Sequence, residues 1–121
     1  MRRQPQGSDS GSVAVEFALI SPALIMLVVG TLYVGLVMYS ASGLQAAAEA
    51  AARCYSISSS QCPDAAATQI YAQRHYYGTG TPIFSASVGP CGHRVTGTMT
   101  MKLSAGVASW SIPFRAAACF P

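Results

Sequence analysis

Charged residues are scarce in this chain. Its 121 residues include 7 Lys and Arg and 4 Asp and Glu, or 9% in total, whereas a soluble domain carries about 25%. No charged residue lies between Glu16 and Glu49, a gap of 32 residues. The scattered cations form no basic cluster, which argues against a phosphate- or nucleic-acid-binding surface. This composition excludes an ordinary cytosolic enzyme and an intrinsically disordered chain, and it favours a small membrane-anchored protein.

The residue sets that carry out catalysis are also missing. Residues 55–121 contain one carboxylate, Asp64, and two histidines, His75 and His93. They include no G-x-S-x-G motif, no H-E-x-x-H motif and no carboxylate pair. We therefore predict no catalytic residue, no cofactor and no enzymatic activity. The chain also lacks asparagine, so it has no N-glycosylation sequon.

Four cysteines follow the uncharged run, at positions Cys54, Cys62, Cys91 and Cys119. An even number on one side of a membrane segment suggests two disulfides in an oxidising compartment. Three pairings are possible, and proximity in the sequence favours Cys54–Cys62 and Cys91–Cys119. A zinc site is the alternative, with Cys91 and His93 as its best fragment. Because there is no C-x-x-C pair or repeated ligand spacing, we predict disulfides and no metal.

Residues 17–38 are apolar except for Ser21 and Thr31. At 1.5 Å per residue a helix of this length spans roughly 33 Å, which is enough to cross the hydrocarbon core of a bilayer. Arg2 and Arg3 precede the run and no cation follows it closely. The positive-inside rule then predicts a single transmembrane helix with a cytoplasmic N-terminus. The cysteines would lie outside, in agreement with their oxidation.

The helix is expected to continue beyond the membrane. Residues 43–53, GLQAAAEAAAR, are nearly all strong helix formers, so we predict one helix ending at about residue 55. Alanine covers most of its faces, which leaves two interpretations open. This stem either packs tightly against sister helices or is a solvated linker. Residues 1–11 are polar and rich in Gly, Ser and Pro, and they predict a short flexible leader.

The remaining residues predict a small folded domain. A second helix is expected to start at Pro63, a favoured first-turn residue, and to end at Gly78. Alternation of apolar and polar residues then indicates strands. The predicted fold is α+β, with a long N-terminal transmembrane and stem helix followed by a small disulfide-stapled domain. That domain has a short helix and an antiparallel sheet of about three strands, at residues 83–88, 95–103 and 107–114.

One short motif resembles a known processing site. The sequence G-S-V-A-V-E-F-A-L runs from Gly11 to Leu19 and resembles the cleavage site of type IVb prepilins. In that pattern a basic leader ends in Gly, four residues follow, and Glu and an aromatic residue come next, here Glu16 and Phe17. With the apolar run and the alanine-rich stem that follow, the chain is similar to TadE-like pseudopilins of the tight-adherence (Flp) pilus system.

The resemblance implies a processed, membrane-anchored subunit. A prepilin peptidase would cut between Gly11 and Ser12 and separate the leader, residues 1–11, from the helix of residues 12–55 and the outer domain of residues 56–121. Glu16 and Phe17 would then guide assembly with other pilins at an inner-membrane platform. Major pilins of this system are essentially the helix alone, so the extra domain implies a minor pilin. It would be a single-pass protein of the bacterial inner membrane with a periplasmic outer domain, entering a short pseudopilus, and without a nucleic-acid partner.

Two other interpretations are weaker. A single-span protein whose outer domain binds a ligand without assembling would leave Glu16 and its spacing from Gly11 unexplained. A secreted soluble domain, cleaved near residues 40–42, would need a signal peptide. The apolar run is too long for one and carries Pro22 early.

Overall fold

The computed structural model of the chain describes residues 9–121. Within them the elements follow the order α1 (Asp9–Ile57), α2 (Ala65–His75), β1 (Ile83–Gly89), β2 (Gly92–Ala105) and β3 (Ala108–Phe120). A long apolar helix, a short helix and a three-stranded antiparallel sheet confirm the predicted α+β fold. The chain divides into two units, one ending at Gly35 and the other running from Leu36 to Pro121, and each is described by itself.

Helix α1 extends slightly further than the sequence predicts at both ends. It begins at Asp9, so the last three residues of the predicted flexible leader are helical. The other leader residues, 1–8, lie outside the described part of the chain. At its other end α1 continues to Ile57, two residues beyond the predicted boundary.

The outer unit contains an antiparallel meander in the order β1-β2-β3. Strand β1 pairs with β2 from Ile83 opposite Thr98 onward, and β2 pairs with β3 from His93 opposite Phe120 to Ala105 opposite Ala108. The connection between β2 and β3 is a two-residue turn, in which Gly106 has a φ of 65° that suits glycine. Strand β3 includes Pro113, which is tolerated because β3 is an edge strand.

The stem part of α1 packs against the sheet of its own domain. Residues spaced three and four apart on one helix face are buried, and they form a single cluster with residues from α2 and all three strands. The solvated linker is therefore wrong, since this alanine face packs on the protein's own sheet; contact between the exposed faces of the stem and sister helices stays a prediction. The small side chains let the sheet approach closely. The cluster comprises Leu44, Ala47, Ala48, Ala51, Ala52, Ala72, Phe84, Val95, Met99 and Ala116.

Helix α2 begins at Ala65, two residues later than predicted, and ends at His75, before Gly78. The reason for its start is the conformation of Asp64, which is extended (φ −144°, ψ 176°) and caps the helix. Its Oδ1 atom accepts a hydrogen bond of 2.7 Å from the backbone N–H of Ala67. Capping satisfies a donor that has no partner inside the helix.

Two disulfides fasten the outer unit, in the pairing that sequence proximity favours. Cys54–Cys62 joins the end of α1 to the segment before α2, with a Cα–Cα distance of 5.8 Å. Cys91–Cys119 joins the β1–β2 turn to the end of β3, with a Cα–Cα distance of 6.1 Å. Because Cys91 is bonded to Cys119, it has no thiolate to offer the zinc site that was the alternative.

Candidate assembly site

The N-terminal part of α1 exposes an almost continuous apolar surface. Its most apolar 18-residue window has no buried residue, and the helix is long and apolar enough to cross a membrane. Soluble proteins rarely expose contiguous apolar patches beyond a few hundred Å². The large side chains include Val13, Val15, Phe17, Leu19, Ile20, Leu24, Ile25, Met26, Leu27, Val28, Val29, Leu32, Val34, Leu36 and Met38. A surface of this extent requires lipid or other apolar helices around it.

A polar side chain within this apolar surface has an internal partner. The Thr31 hydroxyl donates a hydrogen bond of 2.9 Å to the backbone carbonyl of Val28. A hydroxyl bonded to its own helix in this way avoids the cost of an unsatisfied polar group in hydrocarbon. Thr31 is therefore compatible with a membrane environment.

Glu16 introduces a charge at the edge of the apolar surface. It is exposed, and the first cation that follows it in the sequence is Arg53. Moving such a charge to the bilayer centre costs about 2.5–3.5 kcal/mol on insertion scales. Glu16 therefore needs either the membrane interface or a positively charged partner.

The first turns of α1 bring the predicted processing and assembly residues together. Gly11, Ser12, Glu16 and Phe17 are all helical and exposed. Residues four apart lie on the same helix face, one turn from each other, so Ser12 is a neighbour of Glu16. Phe17 leaves 70% of its side chain exposed beside them. The cysteines lie elsewhere, in the two bridges of the outer unit.

Contacts within the described residues do not explain why glycine occurs in the apolar part of α1. A Cβ atom added at Gly11, Gly30 or Gly35 would meet nothing within 4 Å. Gly43, by contrast, lies against the backbone carbonyl of Tyr77, which leaves no room for a side chain. Gly30 and Gly35 leave gaps on the surface of α1 that would admit another helix closely.

Comparison with protein families matches residues 11–53 to the family described as TadE-like protein. Residues 11–53 are therefore similar to TadE-like proteins. The match starts at Gly11, includes Glu16 and Phe17, and ends at Arg53, so it covers most of α1 and stops before the outer unit's second helix and sheet. The family associates the chain with the Tad pilus system and, in general terms, with partners from that system. Comparison with curated proteins and with solved structures found no match.

The outer unit also exposes a group of apolar side chains that no sequence motif marks. These are Val107, Trp110 and Ile112, near the turn between β2 and β3. The alternation that predicts β2 continues to Leu103 and was a signal that an apolar face reaches this turn. Among the described residues no group of three or more His, Cys, Asp or Glu could hold a metal ion.

Proposed function

We propose that this protein is a TadE-like minor pilin, or pseudopilin, of a tight-adherence pilus assembly system. It is processed by a prepilin peptidase and acts by subunit assembly in the bacterial inner membrane, with its N-terminus cytoplasmic and its outer domain periplasmic. It works without catalysis or a cofactor. Its partners are other pilins, the peptidase and the inner-membrane assembly platform.

The observation that carries the proposal is the exposed apolar helix with Glu16 near its start. The alanine face of the stem is covered by the protein's own sheet, so the stem does not offer that face to another subunit. The uncovered helical surface lies earlier in α1, where the large apolar side chains are exposed. We therefore propose that residues 13–38 form the surface through which the subunit contacts other pilins.

Processing would give Glu16 a cation. Cleavage after Gly11 creates a free α-ammonium group on Ser12, one helical turn from the Glu16 carboxylate. An opposite charge within a few ångström offsets the cost of bringing a carboxylate into an apolar environment. The ammonium of a neighbouring subunit would serve equally well, so the same pairing would set the register between two helices.

The proposal is tested by the intact mass and N-terminal sequence of the protein from membranes, with and without a prepilin peptidase. We expect a mature chain that starts at Ser12 only when the peptidase is present. The Gly11→Ala variant should remain uncut. It is a clean probe because a Cβ atom at Gly11 meets nothing within 4 Å, so the substitution causes no clash within the chain.

Gly30→Ala is the matched control, because this glycine has equally open surroundings in the same helix. We expect it to be processed like the unaltered chain. An uncut chain in the presence of an active peptidase would overturn the proposal and leave a single-span anchored protein that does not assemble. A mature chain starting near residue 43 would instead indicate a secreted soluble domain.

A further inference from the structure

The sheet of the outer unit has a face that points away from its helices. Phe84, Val95 and Met99 belong to the buried cluster shared with the helices, and side chains alternate between the two faces along each strand. The intervening residues therefore lie on the other face, which we call the open face. It consists of every second residue of β1 from Ile83 to Gly89, of β2 from Arg94 to Ser104 and of β3 from Ser109 to Cys119.

Strand pairing brings together on the open face three cations that are scattered in the sequence. Arg94 and Lys102 are both in β2, and Arg115 in β3 lies opposite Thr98, midway between them. All three cationic side chains are exposed. Four residues of a strand advance about 13 Å, so the three cations form a row about 26 Å long. The sequence does not reveal this row because Arg115 joins it only through the pairing of β2 with β3.

The sheet itself supplies no carboxylate to neutralise this row. The acidic residues of the chain are Asp9, Glu16, Glu49 and Asp64, and all of them precede β1. Neighbouring cations of the row are further apart than the Debye length of about 8 Å at physiological ionic strength, so their mutual repulsion is largely screened. The row favours an anionic partner, whereas like charges disfavour the open face of a second copy of the chain.

Hydroxyl groups occupy the positions between the cations. On β2, the exposed residues Thr98 and Thr100 lie between Arg94 and Lys102, and each hydroxyl offers one donor and two acceptor lone pairs. The Thr98 hydroxyl donates a hydrogen bond of 3.5 Å to the carbonyl of Ile83. Such a bond is long, because hydroxyl hydrogen bonds are commonly about 2.7–2.8 Å, and a ligand can replace it at little cost. The open face therefore offers hydrogen bonds between its charges.

An open depression of about 580 Å³ lies in the middle of the open face. Its volume is within the range of ligand pockets, about 300–1,000 Å³. The pairs Thr98–Arg115 and Thr100–Pro113 bound it, and Ile83 lines it at the start of β1. The depression therefore combines a guanidinium group, two hydroxyls and two apolar side chains in one place.

We propose that the open face binds a linear acidic polysaccharide, with a carboxylate on Arg115 and the adjoining sugar ring in the depression. A guanidinium binds a carboxylate through two parallel hydrogen bonds. The sugar ring presents its C–H groups to Ile83 and Pro113 and its hydroxyls to Thr100. A polymer with one carboxylate on every second sugar separates its charges by hydroxyl groups, as the open face does. This inference goes beyond the proposed function and does not depend on processing, anchoring or assembly.

Nucleic acid fits the open face less well than a polysaccharide. Proteins that bind single strands stack the bases on aromatic side chains, and none of the residues that make up the open face is aromatic. Duplex DNA carries one charge per about 1.7 Å of its axis, whereas the cations here are about 13 Å apart along the strand direction. A flat sheet face also inserts no element into a groove to read base edges.

Binding is measured by calorimetry with the full-length protein in non-ionic detergent and with hyaluronate, a polymer that has a carboxylate on every second sugar. We expect saturable binding that weakens as the salt concentration rises, and no binding of the same polymer with its carboxyl groups methyl-esterified. Arg115→Gln should weaken the affinity about tenfold, because it removes a charge-assisted pair of hydrogen bonds. Thr100→Val should weaken it a few-fold without changing the salt dependence, because it removes a hydroxyl and no charge.

Arg74→Gln is the matched control. Arg74 is exposed in the last turn of α2, outside the open face, and its loss lowers the net charge by the same amount. We expect it to bind hyaluronate as the unaltered chain does. Equal weakening in Arg74→Gln and Arg115→Gln would show that only the net charge matters, and it would overturn the inference.

Other outcomes would assign the open face to another partner and overturn the inference as well. One is equally tight binding of a DNA oligonucleotide, or of phosphatidylglycerol added to the micelles, with the same loss in Arg115→Gln. Another is a dimer of the protein without polysaccharide that Arg115→Gln dissociates, which would indicate a second copy of the chain. The absence of saturable hyaluronate binding at low salt would also contradict the inference, and it would leave the proposed function untouched.

Discussion

Replacing Gly97 with alanine probes the packing of the stem on its own sheet. Gly97 lies in the middle strand, and an added Cβ atom would come within 2.7 Å of Cε1 of Phe84 and 2.9 Å of Cδ1 of Leu44. Real Cβ atoms essentially never lie this close to such atoms, so both side chains must move. The substitution thus measures how tightly α1 and the sheet fit together.

Two opposing effects determine how much Gly97→Ala changes the free energy of unfolding. Overpacking a core costs about 1–3 kcal/mol, whereas replacing glycine with alanine restricts the unfolded chain and stabilises by about 0.4–1 kcal/mol. Gly89→Ala isolates the second effect, because its Cβ atom meets nothing within 4 Å. We expect Gly97→Ala to be less stable than Gly89→Ala by about 1–3 kcal/mol. Urea unfolding of the full-length protein in detergent, followed by circular dichroism, measures the difference.

A double-mutant cycle with Leu44→Ala tests whether Leu44 is the side chain that an alanine at position 97 displaces. Leu44 is 1% exposed, and its truncation alone should cost about 2–5 kcal/mol. The alanine methyl at position 97 then occupies part of the space that the leucine leaves. The double variant should therefore be more stable than the sum of the single effects, by about 1 kcal/mol. Additive effects, or an unaltered stability of Gly97→Ala, would refute the packing of the stem on the sheet.

Two further stability changes follow from the outer unit. Loop-closure entropy predicts that losing Cys91–Cys119, whose cysteines are 28 residues apart, lowers the free energy of unfolding by about 3.6 kcal/mol. Losing Cys54–Cys62, whose cysteines are 8 residues apart, should lower it by about 2.5 kcal/mol. Paired Cys→Ala variants compared by thermal unfolding test this order, and equal costs would contradict it. Asp64→Ala should cost about 1 kcal/mol because it removes the cap of α2. Asp64→Asn should keep most of the stability, and an equal loss in both variants would show that the cap is not the cause.

The sequence predicts the elements of the fold better than their packing. Apolar length predicts α1, and strict alternation predicts the middle strand from Val95 to Leu103. The stem was ambiguous because alanine has no distinctive periodicity, and only the sheet decides which face is buried. The last part of β3, residues 115–120, was missed because RAAACF does not alternate. Its pairing with β2 as far as His93 opposite Phe120 extends the strand.

The candidate site is local, so its spatial arrangement could be predicted from the sequence, while its role in processing and assembly stays a prediction. Gly11, Ser12, Glu16 and Phe17 lie within two helical turns, so their spacing in the sequence fixes their arrangement in space. The exposed apolar side chains Val107, Trp110 and Ile112 were not predictable in the same way. Strand β1 begins opposite Thr98 and does not reach this end of the sheet, which is a property of strand pairing. A short sequence motif does not indicate where a neighbouring strand ends.

The central claim is that the exposed part of α1 contacts other pilins and that Glu16 directs this contact. Photo-crosslinking in cells tests it directly, with a photoreactive residue at Leu24, which is 54% exposed. We expect crosslinks from Leu24 to another pilin, lost in Glu16→Ala although the protein stays in the membrane. Glu49→Ala is the matched control, since Glu49 lies later in the same helix and accepts a hydrogen bond of 2.8 Å from Nε2 of its neighbour Gln45. Crosslinks that persist in Glu16→Ala, or that never form, would contradict the account.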